Sequence, residues 1–322
     1  MAQTLFKILK AKDRNAIIDV MAPSWSSALL DRMPEVRKGY VMSIAHGKFD
    51  LKERRRLGQS IRAEGYSQAF VLPNSWKSAL IPWFAKIPKR TGYMRELRFG
   101  LINDFHILNK QRLPRMIDRF AALGFEQGAT LPQPLPYPRL EIRPESVEKA
   151  KAKFSLLAHR PVLALCPGAE FGASKRWPEH HYAAVAREKI LEGWEVWLFG
   201  SKNDMPVSAA IQNELQHQCV DLTGKTNLEE AIDLLSLASA VIANDSGLMH
   251  IAAALDKPLV AIYGSTDPKF APPLGTRSES VSLNLPCSPC RQRECPLVHH
   301  NCMQKLGPDN ILTALNIVHK AG

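Results

Sequence analysis

Residues 162–166 read VLALC, a short apolar run, and residues 167–178, PGAEFGASKRWP, follow it as a loop of small residues with two adjacent cations. An apolar run of this length, bounded by a loop that ends in proline, is typical of a buried strand that leads into a helix. Similar runs alternate with helical patterns in both directions along the chain. This alternation predicts an α/β protein built of strand–helix units around parallel sheets.

The pattern extends over two halves. The other strand candidates are residues 16–21, 40–44, 69–72, 196–199, 219–222, 240–243 and 259–263. Helical patterns cover residues 1–10, 24–30, 51–64, 75–84 and 308–318. Between the halves, residues 131–138 read LPQPLPYP, and four prolines cannot continue a helix or join a central strand. We therefore expect two Rossmann-like, doubly wound domains, residues 1–150 and 151–322, with a ligand cleft between them.

Composition limits the class of protein. The chain has 322 residues, of which 45% are hydrophobic and 23% charged, enough for two ordinary cores. No apolar run has the length that crosses a bilayer, and residues 1–12 lack the features of a secretory signal peptide. Six cysteines in a chain of this length indicate reduced thiols. We expect a globular, cytoplasmic protein.

The charge is unevenly distributed. The formal net charge is +11, and residues 86–119 contain nine basic and three acidic residues. A basic chain favours polyanionic partners, either nucleic acid, anionic lipid or a phosphorylated glycan, although a solvated basic face is the alternative. No helix-turn-helix, zinc-finger or RNA-binding motif accompanies the charge, so we expect no nucleic-acid partner.

Three loops that follow strands of the second half are candidates for a ligand site. The loop at residues 167–178 offers backbone amides, Lys175 and Arg176 to a diphosphate, although an ordinary turn with solvated cations explains the same pattern. Residues 243–250, ANDSGLMH, open an apolar helix that Asp245 or Ser246 is placed to cap. Residues 263–268, YGSTDP, form a third strand exit, that is, a loop that directly follows a strand, and this loop is rich in hydroxyl groups. Three such exits in one domain favour a nucleotide diphosphate site.

In this order and at these intervals, the three loops resemble the donor half of family 9 glycosyltransferases, the bacterial lipopolysaccharide heptosyltransferases. Residues 20–25 (VMAPSW), 72–79 (LPNSWKSA) and 90–92 (RTG) of the first half are also similar to that family. The resemblance implies a GT-B fold, with the acceptor domain first and the nucleotide-sugar domain second. It implies an inverting enzyme, without a cofactor or metal, that moves heptose from ADP-L-glycero-D-manno-heptose to the heptose I residue of the lipopolysaccharide inner core.

The resemblance also assigns residues and partners. The donor-binding residues that it implies are Lys175, Asp245, Ser246, Gly247, His250, Ser265 and Thr266. The acceptor-binding residues are Asn74, Ser75, Lys77 and Arg90. The acceptor is Kdo2-lipid A bearing heptose, which carries carboxylates on a lipid in an anionic membrane. The basic first half fits a peripheral, salt-sensitive encounter with the inner face of the inner membrane.

One departure from the family concerns the general base. Family members begin with a buried strand and a Gly-Asp loop that carries this aspartate, whereas residues 1–10 of this sequence already read as the following helix. No catalytic residue is therefore assigned, and Asp19 and Asp50 do not stand in the family's context. We interpret the chain as starting at an internal methionine of a longer protein; a catalytically impaired nucleotide-sugar-binding protein is the alternative. Transfer to another core position is a further alternative.

A cysteine cluster lies near the end of the chain. Cys287, Cys290, Cys295 and Cys302 flank two histidines and are spaced as zinc or iron–sulfur ligands can be. Relatives of family 9 with cysteine-rich tails need no metal for transfer, so we expect a packed loop of thiols and no metal site, with metal binding as the alternative.

Overall fold

The computed structural model describes residues 1–45 and 47–320. It divides into two compact units, Met1–Pro136 and Tyr137–Gly322. The division falls inside the proline-rich segment and not at residues 150/151, because the helix Pro144–Lys153 packs against the helix Leu228–Leu235 of the second unit. Within the described residues, no helix is long and apolar enough to span a membrane.

The first unit alternates strands and helices. Its strands are β1 (Ile18–Pro23), β2 (Val36–Met42), β3 (Gln68–Phe70), β4 (Lys89–Tyr93) and β5 (Asp104–His106). Its helices are α1 (Gln3–Lys12), α2 (Ser27–Leu30), α3 (Leu51–Ile61), α4 (Leu80–Phe84) and α5 (Met116–Ala122). Short 3-10 turns cover Ser24–Ser26, Arg62–Glu64 and Trp76–Ala79. The predicted strands β1, β2 and β3 are confirmed with shifted ends, whereas β4 and β5 were not predicted.

The strands of the first unit form two parallel sheets, β1-β2 and β3-β4-β5. One apolar cluster, around Leu5 and Phe6 of α1, packs against Val20 of β1 and Phe70 of β3. The same helix carries these buried side chains on one face. A second cluster, from α3 and α4, contacts strand residues of both sheets. The two sheets are therefore covered by the same two helical layers.

The second unit is a doubly wound α/β domain. Its strands are β6 (Val162–Cys166), β7 (Glu195–Leu198), β8 (Val220–Asp221), β9 (Ala240–Asn244), β10 (Leu259–Ile262) and β11 (Ser278–Val281). Its helices are α6 (Pro144–Lys153), α7 (Glu179–Leu191), α8 (Met205–Glu214), α9 (Leu228–Leu235), α10 (Gly247–Ala254), α11 (Asn301–Gln304) and α12 (Pro308–Lys320). Short 3-10 turns cover Ala173–Lys175 and Lys202–Asp204.

All six strands of this unit are parallel, in the order β11-β10-β9-β6-β7-β8. The strands β6, β9 and β10 are buried throughout, as their continuous apolar sequences predict. The chain reverses its direction of winding between the neighbours β6 and β9. In such sheets, ligands bind outside the carboxyl ends of the strands at this switch point.

Candidate functional site

The three predicted donor loops of the second unit leave the carboxyl ends of β6, β9 and β10, which are adjacent strands. Asn244, the fully buried last residue of β9, links the first two of these loops. Its side-chain oxygen accepts hydrogen bonds from the backbone of Trp177 at 3.3 Å and the hydroxyl of Tyr182 at 3.0 Å. Its amide nitrogen donates to the carbonyl of Pro167 at 2.7 Å. Asn244 therefore fixes the first loop against the second, a role that the sequence did not reveal.

An ion pair joins the first two loops. The Nζ atom of Lys175 lies 2.6 Å from Oδ2 of Asp245, and both side chains are largely buried, at 13% and 10% exposure. Lys175 also donates to the backbone carbonyl of Asp245 and lies 4.9 Å from the ring centroid of Phe171. The structure thus brings together two residues that the sequence places 70 positions apart. The carboxylate of Asp245 balances the positive charge of Lys175.

The helix α10 begins directly beside this pair. Ser246 occupies the N-cap position, but neither it nor Asp245 makes the capping hydrogen bond that we predicted. The first backbone amides of a helix have no partner inside the helix, and they carry its positive dipole end. A Cβ atom built on Gly247 would meet no atom within 4 Å, so the backbone here borders open space. The start of α10 can therefore receive an anion.

His250 lies in the first turn of α10, as predicted. Burial lowers the pKa of His250 from 6.5 to about 4. The imidazole is therefore neutral at neutral pH, with one nitrogen able to donate and the other able to accept a hydrogen bond. Such a group suits recognition of sugar hydroxyls better than neutralisation of phosphate.

The two predicted residues of the third loop differ in their surroundings. Ser265 is buried, and its hydroxyl oxygen lies 2.9 Å from that of Ser174, within hydrogen-bonding distance. The backbone carbonyl of Ser265 accepts from the amide of Arg291 at 2.6 Å. The hydroxyl oxygen of Thr266 is buried without a partner among the described residues. Ser265 therefore ties loops together, whereas Thr266 has a hydrogen bond to offer a ligand.

The segment at residues 288–293 adds a wall that the sequence did not predict. The backbone amide of Ser174 donates to the carbonyl of Arg293 at 3.2 Å, and its hydroxyl donates to that of Gln292 at 2.5 Å. Gly172 has a φ of +154°, and a Cβ atom there would lie 2.3 Å from the carbonyl oxygen of Arg293, so glycine is required for this approach. The guanidinium of Arg293 lies 5.5 Å from the ring centroid of Phe171, the ring that Lys175 also contacts.

The cysteine cluster overlaps this segment: Cys290 lies within it, and Cys287, Cys295 and Cys302 lie before or after it. All six cysteines of the chain are free thiols. Burial, followed by the nearby thiols of Cys287, Cys290 and Cys295, raises the pKa of Cys302. In the ranges 1–45 and 47–320, no group of three or more His, Cys, Asp or Glu side chains is arranged to hold a metal ion.

The predicted acceptor residues separate into two places. Asn74, Ser75 and Lys77 follow the carboxyl end of β3, and the side-chain oxygen of Asn74 is buried without a partner among the described residues. Arg90 lies near the amino end of β4, where its guanidinium donates to the carbonyls of Ile87, Gly100 and Leu101. The structure therefore does not bring Arg90 together with the other three, and its contacts are those of a residue that shapes a loop.

Two buried arginines that the sequence did not single out support the acceptor loop. Arg54 of α3 donates to the carbonyls of Lys48, Phe49 and Lys77. Arg98, which is fully buried, donates to the carbonyls of three residues at the ends of β3 and β4, namely Tyr93, Pro73 and Ser75. Burial lowers the pKa of both guanidinium groups. The two arginines hold the segments that follow β2, β3 and β4 together in one surface.

Asp19 and Asp50, which the sequence analysis did not assign as the general base, both have structural partners. Asp19 pairs with Arg37 and accepts a hydrogen bond from the hydroxyl of Tyr66. Asp50 caps α3 by accepting from the backbone amide of Glu53 at 3.0 Å. Neither carboxylate is assigned to catalysis.

A doubly wound domain with a lysine–aspartate pair at a helix start, preceded by a second α/β unit, fits an enzyme of the nucleotide-sugar-dependent transferase class. The sequence model for glycosyltransferase family 9 (heptosyltransferase) matches residues 54–300. The chain belongs to this family.

Close relatives cover almost the whole chain. Lipopolysaccharide heptosyltransferase 2 of Salmonella typhimurium is 45% identical over 98% of this chain and 93% of its own length. Lipooligosaccharide heptosyltransferase 2 of Haemophilus influenzae is 48% identical over 88% of this chain and 84% of its own. The solved structure of ADP-heptose LPS heptosyltransferase II from Escherichia coli matches with a TM-score of 0.88 and 41% identity, covering 99% of this chain and 94% of that one. The predicted GT-B fold, family and glycosyltransferase activity are confirmed.

Proposed function

We propose that this glycosyltransferase moves heptose, with inversion, from ADP-L-glycero-D-manno-heptose to the heptose I residue of the lipopolysaccharide inner core. The observation that carries the donor half is the Lys175–Asp245 pair at the start of α10. The similarity of the chain to heptosyltransferases named 2 from several bacteria supports the choice of acceptor position. Transfer to another core position is the alternative.

The donor diphosphate binds at the start of α10. Lys175 turns from Asp245 to a phosphate oxygen, while the backbone amides at Ser246 and Gly247 and the hydroxyl of Thr266 donate further hydrogen bonds. Charge accumulates on the departing diphosphate as the bond to the sugar breaks. Fixed donors that face this charge lower the barrier, because they need not reorient during the reaction.

The heptose lies beside Asp245 and His250. The carboxylate of Asp245, once Lys175 has turned to phosphate, accepts hydrogen bonds from sugar hydroxyls. The neutral imidazole of His250 contributes one donor or acceptor more. Ser265 supports this arrangement through Ser174 and does not contact the sugar.

Arg293 is an additional donor-site cation. The charges of Lys175 and Asp245 cancel, so the diphosphate needs further positive charge even when Lys175 has turned to it. The guanidinium of Arg293 has no ion-pair partner among the described residues and shares the ring of Phe171 with Lys175. We therefore place it within reach of the diphosphate, where a guanidinium can donate two parallel hydrogen bonds.

The acceptor binds at the exit of β3. The side-chain oxygen of Asn74 has no partner in the described part of the chain, and together with Ser75 and Lys77 this residue offers hydrogen bonds and one positive charge to an anionic sugar. Arg90 acts indirectly, by holding residues 100–101. The acceptor is anchored in a membrane, and the net charge of +11 favours peripheral binding to the inner face of the inner membrane.

The test is a transfer assay with purified chain, ADP-heptose, and two acceptors, Kdo2-lipid A with and without heptose I. Transfer only to the acceptor that carries heptose I supports the proposal. Transfer to the bare Kdo2 acceptor would instead indicate another core position. ADP binding without transfer to either acceptor would contradict the proposed activity.

A further inference from the structure

Each strand of the first unit is followed at its carboxyl end by an exposed large apolar side chain. In strand order these residues are Trp25, Phe49, Trp76, Leu97 and Ile107. Leu97 is 85% exposed and Trp25 is 71% exposed. Single exposed apolar residues are ordinary, but one at every exit of the same sheet edge is a pattern that marks an interaction surface. We name these five residues the apolar edge.

The two sheets of the first unit present this edge on the same side. Asp19, near the amino end of β1, meets the hydroxyl of Tyr66, which precedes β3. At the opposite ends, the rings of Phe49 and Trp76 contact each other, with centroids 5.1 Å apart and an angle of 41° between their planes. Contacts at both ends require β1-β2 and β3-β4-β5 to run in the same direction.

Hydrogen bonds hold the segments that carry the apolar edge in place. The buried guanidinium groups of Arg54 and Arg98 bind backbone carbonyls of the β2, β3 and β4 exits. The backbone amide of Trp76 donates to the carboxylate of Glu96 at 2.9 Å, which joins the β3 and β4 exits. Leu97 itself has a φ of +47°, an unfavourable conformation for a leucine that this network maintains. The exposure of these side chains is therefore a property of the fold.

Positive charge surrounds the apolar edge. Exposed cations of the same exits and of the first turns of α3 are Lys48, Lys52, Arg55, Arg95, Lys110 and Arg112. Of the acids nearby, Asp50 caps α3, Glu53 pairs with Arg56, and Glu96 is held by Trp76. Aromatic and aliphatic side chains ringed by lysine and arginine match the headgroup region of an anionic bilayer, where apolar groups enter and cations meet lipid phosphates. Like charges oppose a second copy of the same surface.

We propose that the apolar edge of the first unit docks the enzyme on anionic membrane lipid, so that the acceptor loop at Asn74 faces the bilayer. This inference rests on the proposed lipid-linked acceptor and identifies the surface that reaches it. The cations near the surface attract anionic lipid, and this attraction falls with salt.

The test is sedimentation of the full chain with vesicles of phosphatidylcholine, alone or with about one-third phosphatidylglycerol. The test variant is the double substitution Trp25→Asn and Leu97→Asn, which removes the two most exposed side chains of the apolar edge. The matched control is Ile17→Asn, because Ile17 is 63% exposed but precedes β1 at the opposite edge. Circular dichroism verifies that all variants fold.

We expect wild type and control to bind anionic vesicles in a salt-sensitive manner and neutral vesicles weakly, with about tenfold weaker binding for the double variant. Equal binding by the double variant, or equal binding to neutral lipid, overturns the proposal. The proposal is also overturned if light scattering shows a wild-type dimer that the double variant does not form, while the wild type does not bind vesicles. Transfer to a delipidated, water-soluble acceptor is expected to be equal in all variants. If wild type fails that assay, the proposed function fails, while the vesicle result still decides the docking surface.

Discussion

The ammonium group of Lys175 lies 2.6 Å from the carboxylate of Asp245, across two loops that leave adjacent strands of the second unit. A pair with little exposure to solvent is screened weakly, so each charge strongly affects what binds beside it. The diphosphate of a nucleotide sugar competes with Asp245 for the same lysine. Substitutions on the two sides of the pair should therefore have opposite effects on ADP binding.

Lys175→Ala should weaken ADP binding by about 10- to 100-fold, the effect of losing one charge-assisted hydrogen bond of about 1.5–3 kcal/mol. Titration calorimetry with ADP measures this. Lys305→Ala is the matched control, because Lys305 is exposed and makes no side-chain hydrogen bond among the described residues. Equal ADP affinity in Lys175→Ala and in this control would remove Lys175 from the donor site.

Asp245→Asn should strengthen ADP binding by a few-fold while transfer of heptose is lost. The substitution releases the lysine from its ion pair and removes a negative charge that opposes phosphate, but it also removes the acceptor of sugar hydroxyl hydrogen bonds. Calorimetry with ADP and a transfer assay on the same preparation separate the two effects. Weaker ADP binding would mean that Asp245 serves mainly to position Lys175.

Arg293→Ala should weaken ADP binding by several-fold and reduce the salt dependence of that binding, since one cation leaves the site. Arg291→Ala is the control two residues away. The guanidinium of Arg291 pairs with Asp267 at 3.0 Å, and its backbone contact to Ser265 survives the substitution. An effect in Arg291→Ala as large as in Arg293→Ala would show that the segment matters only for packing.

These residues differ in how far the sequence could reveal them. The strands β6, β9 and β10 are continuous apolar runs, which a buried parallel strand requires, and all were predicted. The strands β4 (KRTGY) and β11 (SESV) were missed because their polar residues mask the apolar pattern.

The site residues could be predicted from the sequence where they directly follow predicted strands. Lys175, Asp245 and Gly247 stand in loops that leave predicted strands, so their proximity follows from the parallel sheet. Arg293 and Arg98 stand in irregular segments, and their partners are set by tertiary contacts that no local pattern encodes. Gly172 is the only local signal for the Arg293 contact, and its meaning appears only with the fold.

His250 should make the folded protein less stable as the pH falls from 6.5 to about 4. Burial keeps the imidazole neutral in the folded state, whereas the unfolded chain takes up a proton in this range, which favours unfolding. His250→Gln cannot take up that proton, so its unfolding free energy should depend less steeply on pH between these values. Urea titrations of both proteins across this range measure the difference. If the unfolding free energies of the two proteins depend equally on pH, the imidazole of His250 is not buried in the folded protein.

Arg98→Met should destabilise the first unit by about 2–4 kcal/mol, because the carbonyls of Tyr93 and Pro73 lose their buried donor. Arg98→Lys should restore only part of this, since one ammonium group cannot reach the carbonyls that a planar guanidinium spans. Arg95→Met, an exposed neighbour, is the control and should change stability by less than about 0.5 kcal/mol.

Two measurements test the role of Arg98. Urea unfolding gives the loss of stability, and transfer under conditions where Arg98→Lys remains folded tests whether the exits of β3 and β4 serve the acceptor. Transfer should fall while ADP affinity stays at the wild-type value, because the donor loops belong to the second unit, whereas Arg98 donates its hydrogen bonds to carbonyls of the first. A parallel loss of ADP affinity would mean that Arg98 supports the whole molecule. Wild-type transfer by the folded variant would show that the acceptor loop does not depend on the network that Arg98 builds.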